Sequence, residues 1–167
     1  MSATINTTSQ ARNIMVAIDE STHSVGALKF VLTNLITSPE DVITAAVVIQ
    51  SETDKDMVFS RTKTLISAVY DSYPSLPCKF AIQIAAASSS QVGAKLCELA
   101  EKAHPDMLVL GSAGKSHLEG MVMGSVSNYA IAHANCPVVV ARLTSADEAR
   151  LARFAGKGMA KGTPLWA

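Results

Sequence analysis

The chain alternates between two hydrophobic rhythms. Residues 13–18, NIMVAI, are a short apolar, β-branched run that reads as a first strand. From Ser21 the spacing changes. Val25, Leu28, Val31, Leu32 and Leu35 recur at three- and four-residue intervals, which marks one face of a helix. SPED at 38–41 punctuates, and VITAAVVI at 42–49 is apolar on both faces, as a buried parallel strand requires. After a polar loop, SETDKD, the stretch 57–73 places Leu65, Ile66, Val69 and Tyr73 on one face and predicts a second helix. PSLP breaks it, and CKFAIQIA at 78–85 alternates as a third strand. From Ser90, residues Val92, Leu96, Leu99 and Ala103 give a third helix; HPD turns the chain into a fourth strand, DMLVLG at 106–111. Val126, Tyr129, Ala130 and Ala134 make a short helix of small residues, and PVVVAR at 137–142 is a fifth strand.

The resulting order, βαβαβαβαβ, predicts an α/β fold: a three-layer, Rossmann-like unit with a five-stranded parallel sheet in the order 3-2-1-4-5 and helices on both faces. Residues 13–142 are expected to form this one domain. Residues 1–12 are rich in Ser, Thr and Asn and read as a disordered leader. Residues 143–167 form an extension, helical over 146–155 and mobile beyond, where Gly, Lys and Pro accumulate.

Composition narrows the classes. The chain has 167 residues, 49% of them hydrophobic, enough for a sizeable core, and a net charge of zero. A balanced charge argues against a dedicated nucleic-acid binder, and no apolar run reaches bilayer-spanning length. The three cysteines, Cys78, Cys97 and Cys136, are scattered and form no CxxC pair. With no export signal, they read as reduced thiols of a cytoplasmic protein, serving as small buried apolar residues.

The chemistry concentrates at 111–125, GSAGKSHLEGMVMGS. Its GKS matches the end of a P-loop, but the first P-loop glycine would fall at Val109, inside the fourth strand, so the cradle cannot form. What remains is a strand end at Gly111, a turn at Gly114 and a helix start at Gly124-Ser125. Unpaired N–H groups at a helix N-terminus favour an anion, and Ser125 and Ser127 can add hydroxyls. In a doubly wound sheet the ligand crevice lies where strand order reverses, here between strands one and four. Asp19, at the end of strand one, falls at the same mouth and can accept hydrogen bonds from a base or ribose.

These residues carry a resemblance. VAIDES (16–21), DMLVLGSAG (106–114) and GSVSNYAIAHANCPVVVAR (124–142), with the spacing Gly-x2-Gly-x9-Gly-Ser, resemble the ATP-binding branch of the universal stress proteins. The resemblance implies that Asp19 and the backbone of Val47 sit by the adenine. It places Gly111 and Gly114 by the ribose and phosphates, and has Gly124, Ser125, Val126 and Ser127 hold the phosphates of ATP, ADP or AMP. It further implies a Mg or Mn ion bridging the phosphates and a homodimer through strand five (137–142). Where many members have arginine this chain has Ala113, so that cation comes from Lys115 or is absent. His117 reads as a surface residue and His133 as structural. No GxSxG elbow or metal-ligand spacing is present, so a regulator is expected ahead of a slow ATPase. An interaction protein that dimerises without nucleotide remains the alternative.

Overall fold

The computed structural model describes residues 10–72, 76–112, 123–142, 146 and 164–166. Gly114, Lys115 and His117, together with Ala113, the first nine residues and most of the C-terminal extension, lie outside these. Strands β1 (Asn13–Ala17), β2 (Val42–Ile49), β3 (Lys79–Ala86), β4 (Met107–Gly111) and β5 (Val138–Ala141) alternate with helices α1 (Thr22–Asn34), α2 (Lys55–Ser72), α3 (Val92–Ala103) and α4 (Ser125–His133). A sixth strand, β6 (Leu165–Trp166), ends the series.

All strand pairs are parallel and the sheet runs β5-β4-β1-β2-β3-β6. The expected five-strand order is therefore embedded in a six-stranded sheet, and the expectation of five strands is corrected. The end of the tail is not a loose coil either: its last turn of sequence returns to pair with β3. Two residues are too short to show any periodicity, so nothing in the pattern announces this strand.

The period of two along each strand sorts the core into two layers. Ile14, Val16 and Ile18, with Ile43, Ala45, Val47 and Ile49, point to one face and pack on Leu28, Val31 and Leu32 of α1 and Ile66 and Val69 of α2. Met15, Ala46, Leu108 and Leu110 point to the other and pack on Leu96 and Ala100 of α3 and Ala130 of α4. Burying one such side chain is worth about 1.5–3 kcal/mol, so both layers are needed to offset the ordering of the backbone. On the second face the helices approach closely at Gly93, where a Cβ would lie 2.9 Å from Cβ of Tyr129.

The thiols are free. Cys78 is buried in the first layer, while Cys97 and Cys136 are half-buried against the second. Burial pushes the thiols of Cys97 and Cys136 up in pKa, which suits packing residues rather than nucleophiles. Among the described residues no helix is long and apolar enough to cross a membrane.

The amino-terminal ends of the strands are fastened by a charge. The Asp41 carboxylate is fully buried and accepts from the backbone N–H groups of Arg12, Thr37 and Ser38, at 3.0, 2.9 and 3.1 Å. The Arg12 guanidinium pairs with it at 3.1 Å and also donates to the Leu35 carbonyl. Burial pushes the Asp41 carboxyl up, but these donors outweigh it and hold its pKa below the usual value.

Candidate functional site at the carboxyl-terminal rim

At the opposite ends of the strands the chain makes a tight reversal after β1. Ile18 N–H still bonds the Ala46 carbonyl at 2.9 Å, and then the strand departs from β2. Asp19 Oδ1 accepts from Ser21 N–H at 3.0 Å, closing a two-residue side-chain turn. Glu20 between them is held at φ 63°, a left-handed conformation that costs a non-glycine residue about 1–2 kcal/mol. Its carboxylate is paired with Arg61 of α2. Ser21 caps α1, accepting from Ser24 N–H, and the Ser24 hydroxyl receives Asp19 N–H at 3.3 Å. A short sequence, DESTHS, thus turns the chain sharply enough to leave the half-buried Asp19 at the rim.

The backbone beside it is that of β2. Groups along a parallel strand face its two neighbours alternately. Ala46 O bonds β1 and Ile49 O receives Ala87 N–H on the β3 side. Val47 therefore directs its N–H and C=O to β3, and Val48 directs its own toward the side that β1 has left. The resemblance pointed to the backbone of Val47; the register makes Val48 the residue whose peptide groups face the gap. Only the pairing register carries that signal, since the two valines are interchangeable in sequence.

The third side of the rim is built from β4 and α4. Gly111 ends β4, and a Cβ there would lie 2.5 Å from both C and O of His23 and 2.8 Å from its Cβ. The first turn of α1 crosses so closely that no side chain fits. The glycine is thus explained by the protein's own backbone as well as by any ligand. Ser112, buried, meets His23 Nδ1 at 3.4 Å through its hydroxyl, and its carbonyl accepts Gly124 N–H at 2.8 Å. The Ser127 hydroxyl, also buried, donates to the Gly111 carbonyl at 2.9 Å. These bonds tie the start of α4 to the end of β4 across the eleven residues between Ser112 and Gly124.

Gly124 occupies the N-cap of α4, with φ −72° and ψ 159°, and no side chain caps the helix among the described residues. Ser125 is the first helical residue and is exposed. The Ser127 hydroxyl proton is engaged inside the protein. The first-turn N–H groups of Ser125, Val126 and Ser127, which no carbonyl of the helix can reach, remain the donors at this end. Asp19, Val48, Gly111, Gly124, Ser125, Val126 and Ser127 are thereby assembled at one rim, with β1 and β4 adjacent through Val16 and Val109. His23 belongs to the same rim and escaped the sequence reading; its position one turn after Asp19 was the available signal. An acceptor on one wall and the first-turn N–H groups of a helix on another suit a ligand with a hydrogen-bonding ring at one end and an anion at the other.

Residues 10–142, four-fifths of the chain, match the universal stress protein family. The chain belongs to that family. Among curated relatives, Universal stress protein MJ0531 of Methanocaldococcus jannaschii is 42% identical over 48 residues, which cover 29% of this chain and 28% of that protein. The stretches matched in three curated relatives span only 8%, 28% and 30% of their lengths. In solved structures the fold is shared with hypothetical protein MJ0577, at a TM-score of 0.64 and 21% identity over 80% of this chain and 97% of that one. It is also shared with a universal stress protein in complex with cAMP, at a TM-score of 0.54 and 17% identity over 78% and 96%. At these identities the likeness carries the architecture of the family, in which β6 and residues beyond 142 lie outside the family match.

Proposed function

We propose that this universal stress protein binds an adenine nucleotide, ATP first among them, at the carboxyl-terminal rim of its sheet, and acts in the cytoplasm as a dimeric, nucleotide-dependent regulator in stress adaptation. The observation that carries the reading is the union of two far-separated segments. Asp19 and the peptide groups of Val48 offer an acceptor and a mixed edge for a purine, and the start of α4, which no side chain caps among the described residues and which is bound to β4 through Gly124 and Ser127, offers N–H donors to phosphate. A solved relative of the same fold holds cAMP, which supports the adenine.

In this reading Asp19 and Val48 read the base. Gly111 and Gly114 let the ribose and phosphates lie against backbone, and Lys115 supplies a cation to them. Ser125, Val126 and Ser127 receive the phosphates through backbone N–H groups, with the Ser125 hydroxyl as a further donor. A Mg or Mn ion would screen the phosphate charges. The dimer forms through β5 (Val138–Ala141), the apolar strand at one edge of the sheet.

Thermal unfolding with Mg·ATP tests the proposal. Ligand at a hundredfold above Kd stabilises the folded state by about 2.7 kcal/mol, a shift of several degrees. No shift at millimolar nucleotide would reject it and leave the dimeric interaction protein that binds no nucleotide.

A further inference from the structure

The two edges of the sheet differ in how they end. β5 is four residues long, entered directly from Pro137 and left at Arg142. β3 is eight residues, and after Lys79 it runs FAIQIAA without a charge, proline or glycine. A long, uncharged edge of this composition is a template for pairing with another chain. Its first two residues are covered by the chain's own end: Lys79 pairs with Leu165 and Phe80 with Trp166.

That contact is more than a backbone ladder. The Trp166 ring lies 5.8 Å from the fully buried ring of Phe80, which itself stands edge-on to Tyr70 at 5.2 Å. The Lys63 ammonium of α2 sits 4.9 Å above the Trp166 ring. Pro164 is buried, and Trp166 packs against the first core layer. The terminus therefore carries an aromatic anchor into a place prepared for it by three residues from two elements. Its reach is sufficient. Residues 143–163 have a contour of ~70 Å at about 3.3 Å each, and the traverse from β5 to β6 spans ~24 Å at about 4.8 Å per strand.

We infer that the outer edge of β3 is a strand-addition site whose occupant is the chain's own C-terminus, Pro164–Trp166, and that this occupant keeps β3 from pairing with β3 of a second copy. Trp166 supplies the affinity and the two ladder pairs set the register. The contact lies at the start of β3, the end of the sheet away from the nucleotide rim, so its release leaves that rim in place.

The chain has a single tryptophan, so the unaltered protein reports on the contact. Its emission is expected to be blue-shifted, shielded from acrylamide and independent of protein concentration. A chain truncated after Thr163 is expected to form larger species, by sedimentation, at a concentration about tenfold lower than the full chain does, as the loss of one half-buried aromatic contact implies. A synthetic peptide of residues 163–167 added to it reverses this, and the same peptide with Trp166→Ala does not. Nucleotide binding by the truncated chain, read by thermal shift, stays that of the full chain. A solvent-like emission in the full chain, an emission that moves with concentration, or a truncated chain that sediments as the full one does would each overturn the inference.

Discussion

Asp19 and Asp41 are carboxylates at opposite ends of one sheet, and the contrast between them separates architecture from site. Asp41 is fully buried, receives three backbone N–H groups and faces Arg12, so every feature of its surroundings is supplied by the protein. Asp19 is half-buried and is held in place by Ser21 N–H on Oδ1 and by its own N–H on Ser24. The first fastens strands to the loop beneath them. The second is set out at a rim whose other walls, Val48 and the start of α4, also present backbone groups outward. A group the fold encloses serves stability, and a group positioned at the end of a strand near a rim is where the proposed recognition is to be tested.

The largest expected break of this contrast is Asp41→Ala. Removing one partner of a buried pair takes the carboxylate from the Arg12 guanidinium and from three backbone N–H groups, and about 3 kcal/mol of stability should be lost in chemical denaturation. The folded fraction should keep its nucleotide affinity. The acid limb follows with a definite sign. Because the folded carboxyl titrates below its ordinary value of 3.8, Asp41 contributes stability above that pH, and the contribution disappears as pH falls through the lower folded value. The variant's stability should therefore vary less with pH below about 4 than the parent's.

Gly111→Ala should come next, and it should blur the contrast. The added methyl meets His23 backbone atoms at 2.5 Å, so α1 or β4 must shift, at about 1–3 kcal/mol of stability. The shift moves Asp19 relative to α4, and nucleotide affinity should fall with it. Calorimetric titration beside thermal unfolding reads both. The smallest stability change is expected for Asp19→Asn, under about 1 kcal/mol, because the side-chain oxygen can still receive Ser21 N–H. Its nucleotide affinity should nonetheless drop about tenfold through the lost charge-assisted bond. Equal damage to stability and binding would place Asp19 with Asp41, as a fastening.

Much of the scaffold was legible because periodicity is a local property. VITAAVVI is apolar on both faces, and β2 occupies Val42–Ile49 as read. The helix starts were less legible. The expected start at 57 moves to Lys55, since Ser51 first nucleates a short 3-10 turn at Glu52–Asp54 that runs straight into α2. At the rim, contacts that fix individual residues were not legible. Gly111 answers to the passage of α1 and the Ser127 hydroxyl to the Gly111 carbonyl, contacts between elements that no local pattern contains. β6 was out of reach altogether, because two residues hold no period and their partners, Lys79 and Phe80, lie eighty-six positions back.

From the order of its residues alone the chain determines which segments are strands and helices, that the strands run parallel with helices on both faces, and that Asp19 and Gly111 fall at the ends of the two strands where strand order reverses. Those outcomes follow from side-chain spacing and backbone freedom, which act over a few residues. Tertiary structure alone decided that Val48 rather than Val47 turns its peptide groups to the gap, that Gly111 makes room for His23, and that the tail closes the sheet on β3. Register, close approach and edge pairing depend on which surfaces meet, and that is settled only when both layers of the core are packed.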